Sequence, residues 1–137
     1  MTIATRPAQI VGNIGLYHAC YKLSVHNWNV MPTSRNARGV DIICFSLDGA
    51  RMLSMQVKTL SKRTAVPMGT NLDKIMGDFW IIVAGIALPD GPITYILLPH
   101  EVRAMTVQAK TGSYWLQHKH YATDAFKEAW GRIGSGH

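Results

Sequence analysis

The sequence predicts a single mixed α/β domain, a central sheet flanked by helices, and three observations carry that expectation. Residues 7–25 repeat apolar side chains at helical spacing, with no Asp, Glu, Lys or Arg from Ala8 to Tyr21. Two strand-like runs, 40–47 and 51–59, meet at Asp48-Gly49, the strongest short hairpin signal. Two further apolar runs, 79–88 and 93–98, are separated by Pro89-Asp90-Gly91-Pro92 and read as adjacent strands.

Taken in order, the first helix has Pro7 near its opening turn and two apolar strips. Ile10, Ile14, Tyr17 and Tyr21 form one, and Val11, Leu16, Ala19 and Leu23 form the other. Such a helix is expected to be covered on more than one side, with a subunit interface there. Gly12 and Gly15 permit close approach of a neighbouring element. A short strand at 28–31 and a basic loop at 32–39 follow. After the hairpin, 62–70 reads as a loop interrupted by Pro67 and Gly69, and 71–77 as a short helix. A helix opens at residues 99–101, and a last one spans 123–130 with Thr123 as its cap. Tyr114, Trp115, Phe126 and Trp130 read as packing for that last helix. His118 and His120 alternate as on a strand but lack a third ligand, and 134–137 reads as a frayed tail. One domain is expected to fill 1–137, with its core at about 7–98 and C-terminal elements at 99–132.

Hydrophobic residues make up 47% and charged residues 16%, which excludes a disordered chain. No run approaches the roughly eighteen apolar residues a membrane span needs, and no secretory leader pattern is visible. Cys20 and Cys44 lie in apolar segments without metal-ligand spacing and read as reduced core thiols, so a cytoplasmic protein is expected. Fourteen Lys and Arg against eight Asp and Glu give a formal charge of +6, which favours a polyanionic partner.

The hairpin makes a geometric expectation about chemistry. With a two-residue Asp48-Gly49 turn, Asp41 faces Gln56 across the strands and Lys58 follows on the same face. The opposite face then holds Val40, Ile42, Cys44, Leu53, Met55 and Val57, a continuous apolar surface. An Asp carboxylate beside another side-chain oxygen suits Mg²⁺, and a nearby Lys suits the charge that develops on a phosphorane.

Gly39-Val40-Asp41, a hairpin, then Gln56-Val57-Lys58 resembles the motif of the PD-(D/E)XK, or restriction-endonuclease-like, nuclease superfamily. Gln in place of the usual second acid resembles the Mrr-type restriction endonucleases. The resemblance covers the order of elements from Pro7 to Leu88 and implies an αβββαβ core with a mixed sheet. It further implies Mg²⁺ or Mn²⁺ as cofactor and nucleic acid, DNA above RNA, as substrate for a restriction or repair type endonuclease. Asp41 and Gln56 would place the metal, and Lys58 would stabilise the transition state. The family often adds a Glu on the first helix; here that stretch reads Gly15-Leu16-Tyr17-His18, where His18 is the candidate contributor.

Arg35, Arg38, Lys62 and Arg63 flank the triplet and are candidates for backbone phosphate contacts, with Ser34 and Asn36 adding neutral ones. Asp73 and Asp78 are acids of the short helix region that nothing in the sequence places at the site. A small catalytic unit that must engage two strands is expected to work as a homodimer. The alternative from another class is a catalytically inactive nuclease-fold protein that binds nucleic acid or a protein partner, which the missing helix carboxylate favours.

Overall fold

The computed structural model describes residues 5–33 and 39–137. Helix α1 (Ala8–Val25) leads into β1 (Asn29–Pro32), β2 (Ile42–Phe45) and β3 (Met52–Leu60). Strand β4 (Val66–Gly69) and a 3₁₀ turn (Leu72–Lys74) connect to β5 (Phe79–Ala84) and β6 (Ile93–Leu97). Helix α2 (Pro99–Met105), β7 (Val107–Gln108), β8 (Tyr114–Leu116), α3 (His118–Tyr121) and a second 3₁₀ turn (Trp130–Arg132) complete the chain. The main sheet has five strands in the order β1-β2-β3-β5-β6, with β3 and β5 parallel and the other pairs antiparallel. It is the expected mixed sheet flanked by helices.

Alternation along β3 divides the molecule into two cores. Met55, with Ile42 and Cys44 from β2, packs under α1 against Ala19, Leu23 and Trp28, with Leu53 and Val57 partly buried beside them. On the other face Trp80, Ile82 and Leu97 pack with Val102 of α2, Leu116 of β8 and Tyr121 of α3. Helix α1 seats the strip ending in Ala19 and Leu23 and leaves Ile10, Tyr17, Tyr21 and Val25 exposed. It crosses β3 so closely that a Cβ on Gly15 would lie 1.7 Å from Thr59 Oγ1.

Five local expectations are corrected. The segment after β3 pairs as β4 with β8 in a second, three-stranded sheet, β4-β8-β7, so 62–70 is not all loop. The expected helix at 71–77 is one 3₁₀ turn, because the Lys74 carbonyl and Met76 N–H are drawn to the Gln56 carboxamide and leave helical pairing. The expected helix at 123–130 stops after one turn. Its backbone pairs with the edge of β6 instead: Glu128 N–H donates to Thr94 O (2.8 Å), and Ile96 N–H donates to Phe126 O (2.9 Å). Of the aromatics assigned to that helix, Trp130 is buried, but Trp115 is exposed, and His118 to Tyr121 form helix rather than strand.

The tail at 134–137 is docked rather than frayed. Gly136 accepts from Leu47 N–H (2.7 Å) and donates to His26 O (3.0 Å), while the Trp28 indole N–H donates to Gly134 O (2.9 Å). Gly136 fits where a Cβ would meet Asn27 O at 2.3 Å. Among the described residues no helix is long and apolar enough to cross a membrane.

Candidate functional site

The β2–β3 ladder keeps the expected register from Phe45↔Met52 to Ile42↔Met55 and then breaks. Asp41 N–H donates to Met55 O (2.8 Å), while its carboxylate Oδ2 accepts from Val57 N–H (2.7 Å). The two bonds straddle Gln56, so Asp41 does not continue the ladder directly opposite it. A side chain has taken the place of a backbone carbonyl at the point where the two strands part. Thr33 N–H donates to Asp41 O (2.9 Å) and the Thr33 hydroxyl to Val40 O, which fixes the strand entry from the β1 side.

Beyond that parting lies a cavity of about 680 Å³ between α1 and the β2–β3 end. Asp41 and Lys58 both line it, with Asn13 and Tyr17 from α1 and the hydroxyl-bearing Thr33 and Ser61. Burial raises the proton affinity of the Asp41 carboxyl above the ordinary range, and the Val57 N–H and the Lys58 charge only partly offset it. The chain alone therefore under-compensates this negative charge. A bound cation would supply the missing compensation.

Lys58 also borders a second cavity, about 240 Å³, formed with Gln56, Pro67, Asn71, Lys74 and Trp80. Its ammonium lies 5.7 Å from the centre of the Trp80 ring, within cation–π range. Gln56 is buried, and its carboxamide is already committed. Its carbonyl oxygen accepts from Met76 N–H (3.2 Å) and from the Trp80 indole, while its NH₂ donates to Lys74 O (3.3 Å). The three members of the sequence motif are thus divided: Asp41 with Lys58 at the larger cavity, Gln56 with Lys58 at the smaller.

The remaining candidates are dispersed. His18 does not line the larger cavity; it lies about 140° around α1 from Asn13, five residues on. Burial lowers its proton affinity, as does the Lys22 charge, with Glu128 opposing both. Its Nε2 is buried without a hydrogen-bond partner among the described residues. Lys62 is exposed just past Ser61, whereas the Arg63 guanidinium is held by Asp90 at 2.7 Å. Arg35 and Arg38, with Ser34 and Asn36, lie outside the described residues, though the residues bounding that stretch, Thr33 and Gly39, both line the cavity. Asp78 accepts from Ser54 N–H (2.8 Å) and Ser54 Oγ (3.2 Å), and Asp73 is exposed on the 3₁₀ turn.

Asn13, which lines the larger cavity, is not among the sequence candidates. Its signal was helical spacing, since Asn13, Leu16 and Tyr17 fall on one face. No cluster of three His, Cys, Asp or Glu residues capable of holding a metal occurs among the described residues. The donors at the larger cavity are hard oxygens, one of them a carboxylate. Such donors suit a hard divalent cation such as Mg²⁺ or Mn²⁺, because Mg²⁺ keeps much of its water and uses one or two carboxylates.

No protein-family model matches the chain, and no curated protein matches it in sequence. Among solved structures, the fold is similar to that of a nuclease. The structure is described as that of a bacterial homing endonuclease, I-Ssp6803I, with a TM-score of 0.63 and 16% identity over 93% of each chain.

Proposed function

We propose that this protein is a divalent-metal-dependent nuclease that hydrolyses phosphodiester bonds in DNA at the cavity between α1 and the parting of β2 and β3. The observation that carries the reading is the pairing of a half-buried Asp41 with Lys58 in the lining of one cavity. The likeness of the whole fold to a homing endonuclease and the net charge of +6 support it. When bound, Mg²⁺ or Mn²⁺ supplies Lewis acidity at the scissile phosphate.

Asp41 would hold the cation through its carboxylate, whose position its backbone and the Val57 N–H fix. Lys58 presents a rotatable ammonium with three donors, suited to the extra negative charge on the phosphoryl oxygens in the transition state. The Trp80 ring restrains that ammonium without consuming a donor. Gln56 acts as a positioning residue. Both lone pairs of its carbonyl oxygen are occupied, so the metal-ligand role expected for it gives way to bracing the Lys74–Met76 segment beside Lys58. The exposed row Ile10, Tyr17, Tyr21 and Val25 on α1 is the surface on which a second copy of the chain packs.

The test is cleavage of labelled DNA and RNA in Mg²⁺ and Mn²⁺ by the wild type and by Asp41→Ala and Lys58→Ala. DNA cleavage that needs metal and disappears in both folded variants supports the reading. Salt-sensitive DNA binding with no cleavage in either metal would select the inactive binding protein instead. Sedimentation of Tyr21→Glu beside the wild type checks the self-association face, with a shift to monomer expected.

A further inference from the structure

The second sheet contributes less to the core than its three strands would allow. Its inner face is buried through Val66 and Leu116, but its outer face presents Pro67, Trp115 and Val107, cross-strand neighbours in one row, all exposed. Strand β7 buries neither of its two residues. The β7–β8 hairpin nonetheless has a defined turn: Ala109 N–H donates to Ser113 O (2.8 Å), Gly112 N–H to Ala109 O (2.9 Å), and the Gln108 amide to Gly112 O (3.3 Å). Strand β7 and the turn are therefore held outside the core, anchored through Leu116 of β8, with Lys110 and Thr111 exposed at the tip.

Its placement and charge indicate an occupant. Pro67, Met68 and Gly69 of β4 line the smaller cavity with Lys58, so the ribbon starts beside the lysine of the proposed site. Strands spaced about 5 Å apart put β7 about 10 Å beyond β4. No Asp or Glu occurs between Asp48 and Asp73, or between Glu101 and Asp124, the two stretches that supply β3, β4, β7 and β8. Within them Lys62, Lys110 and Lys119 are exposed. Those stretches thus contribute cations and no acid, and a two-stranded ribbon matches the width of a DNA major groove, about 12 Å.

We infer that the β7–β8 ribbon is the DNA-engaging arm of this protein: it enters the major groove of the duplex flanking the scissile phosphate, with Lys110 on the backbone and Thr111 at the base edges. The inference rests on the nuclease reading for the position of that phosphate. It does not rest on catalysis itself.

The test measures binding of the full-length wild type, Lys110→Glu and Lys127→Glu to a random-sequence DNA duplex in EDTA across a salt titration, with cleavage in Mg²⁺ and Mn²⁺ measured in parallel. Lys127 is an exposed cation paired against the far edge of the main sheet, at β6, and controls for net charge. The expected result is a loss of roughly tenfold or more in affinity for Lys110→Glu, with a salt dependence shallower by about one ion, and little change for Lys127→Glu. Equal affinities for all three proteins, equal losses in both variants, or no duplex binding by the wild type would each overturn the ribbon assignment. Wild-type protein that binds through Lys110 but cuts nothing in either metal supports the ribbon and removes the nuclease reading.

Discussion

Gly15 and Gly12 lie on the same helix one turn apart, and alanine should act in opposite senses at the two. At Gly15 the added Cβ meets Thr59 Oγ1 at 1.7 Å and Thr59 Cβ and Cγ2 at 2.7 Å. Rotation about χ1 can move Oγ1 and Cγ2, but Thr59 Cβ is fixed to the backbone of β3, so helix and strand must separate. Overpacking of this kind costs about 1–3 kcal/mol. Alanine's better helix propensity returns about 1 kcal/mol. Because the clash involves an atom the strand cannot move alone, the net loss should be near the upper end, about 2 kcal/mol. At Gly12 nothing lies within 4 Å of the added atom. There the propensity term acts alone, a gain of about 1 kcal/mol. The two variants should thus differ by about 3 kcal/mol, or roughly 10 °C in Tm for a domain of this size. Thermal and urea unfolding of both proteins read this directly. Shifts of the same sign and size would refute the close α1–β3 approach on which the cavity geometry depends.

Asp41→Asn should raise Tm at neutral pH. The folded-state pKa of Asp41 lies above its unfolded value, so its ionisation lowers stability as pH rises through that window; the gain should vanish below the ordinary carboxylate range, and a lower Tm at pH 7 would contradict it. Glu101 runs the other way. Burial would raise its pKa, but the Arg132 guanidinium at 2.9 Å and the Leu98 N–H at 2.7 Å hold it low, so its contribution is present above the unfolded pKa and lost as pH falls through the folded one. Glu101→Gln should be less stable at neutral pH and show a flatter acid limb in a pH series of unfolding curves. Gly136→Ala, whose Cβ would fall 2.9 Å from Trp28 Cδ2, should release the tail and cost about 1–3 kcal/mol; a red shift of tryptophan emission reports it, and unchanged emission and Tm would count against the docked tail.

Much of the fold was legible because local and nonlocal signals agreed. The apolar alternation of Ile42, Cys44, Leu53 and Met55 allows one register with its polar residues outside the core, and the Asp48-Gly49 turn specifies the same one. The misreadings arose where a tertiary partner outbid local preference. Residues 123–130 have a capped helical pattern, yet the open edge of β6 offered Thr94 and Ile96 as backbone partners. Residues 134–137 look like a tail until Trp28 and Leu47 supply donors from over a hundred and from about ninety positions away. At the proposed site, the motif spacing singled out Asp41 and Lys58, which line one cavity, but it could not show that the ladder breaks at Ile42. That break sends the Asp41 carboxylate to Val57 N–H and leaves Gln56 facing Trp80. His18 lies off the face of α1 that lines the cavity, since the register of α1 on the sheet is set by Gly15 against Thr59.

The central claim, that Asp41 and Lys58 form one metal-dependent hydrolytic site, is tested most directly by single-turnover cleavage of duplex DNA in Mn²⁺ by the wild type and Lys58→Ala, at protein concentrations that saturate the substrate. Wild-type cleavage abolished by EDTA, with Lys58→Ala folded, bound to the duplex and slower by roughly 10²-fold or more, is the predicted result. Equal cleavage rates for the two proteins would contradict it.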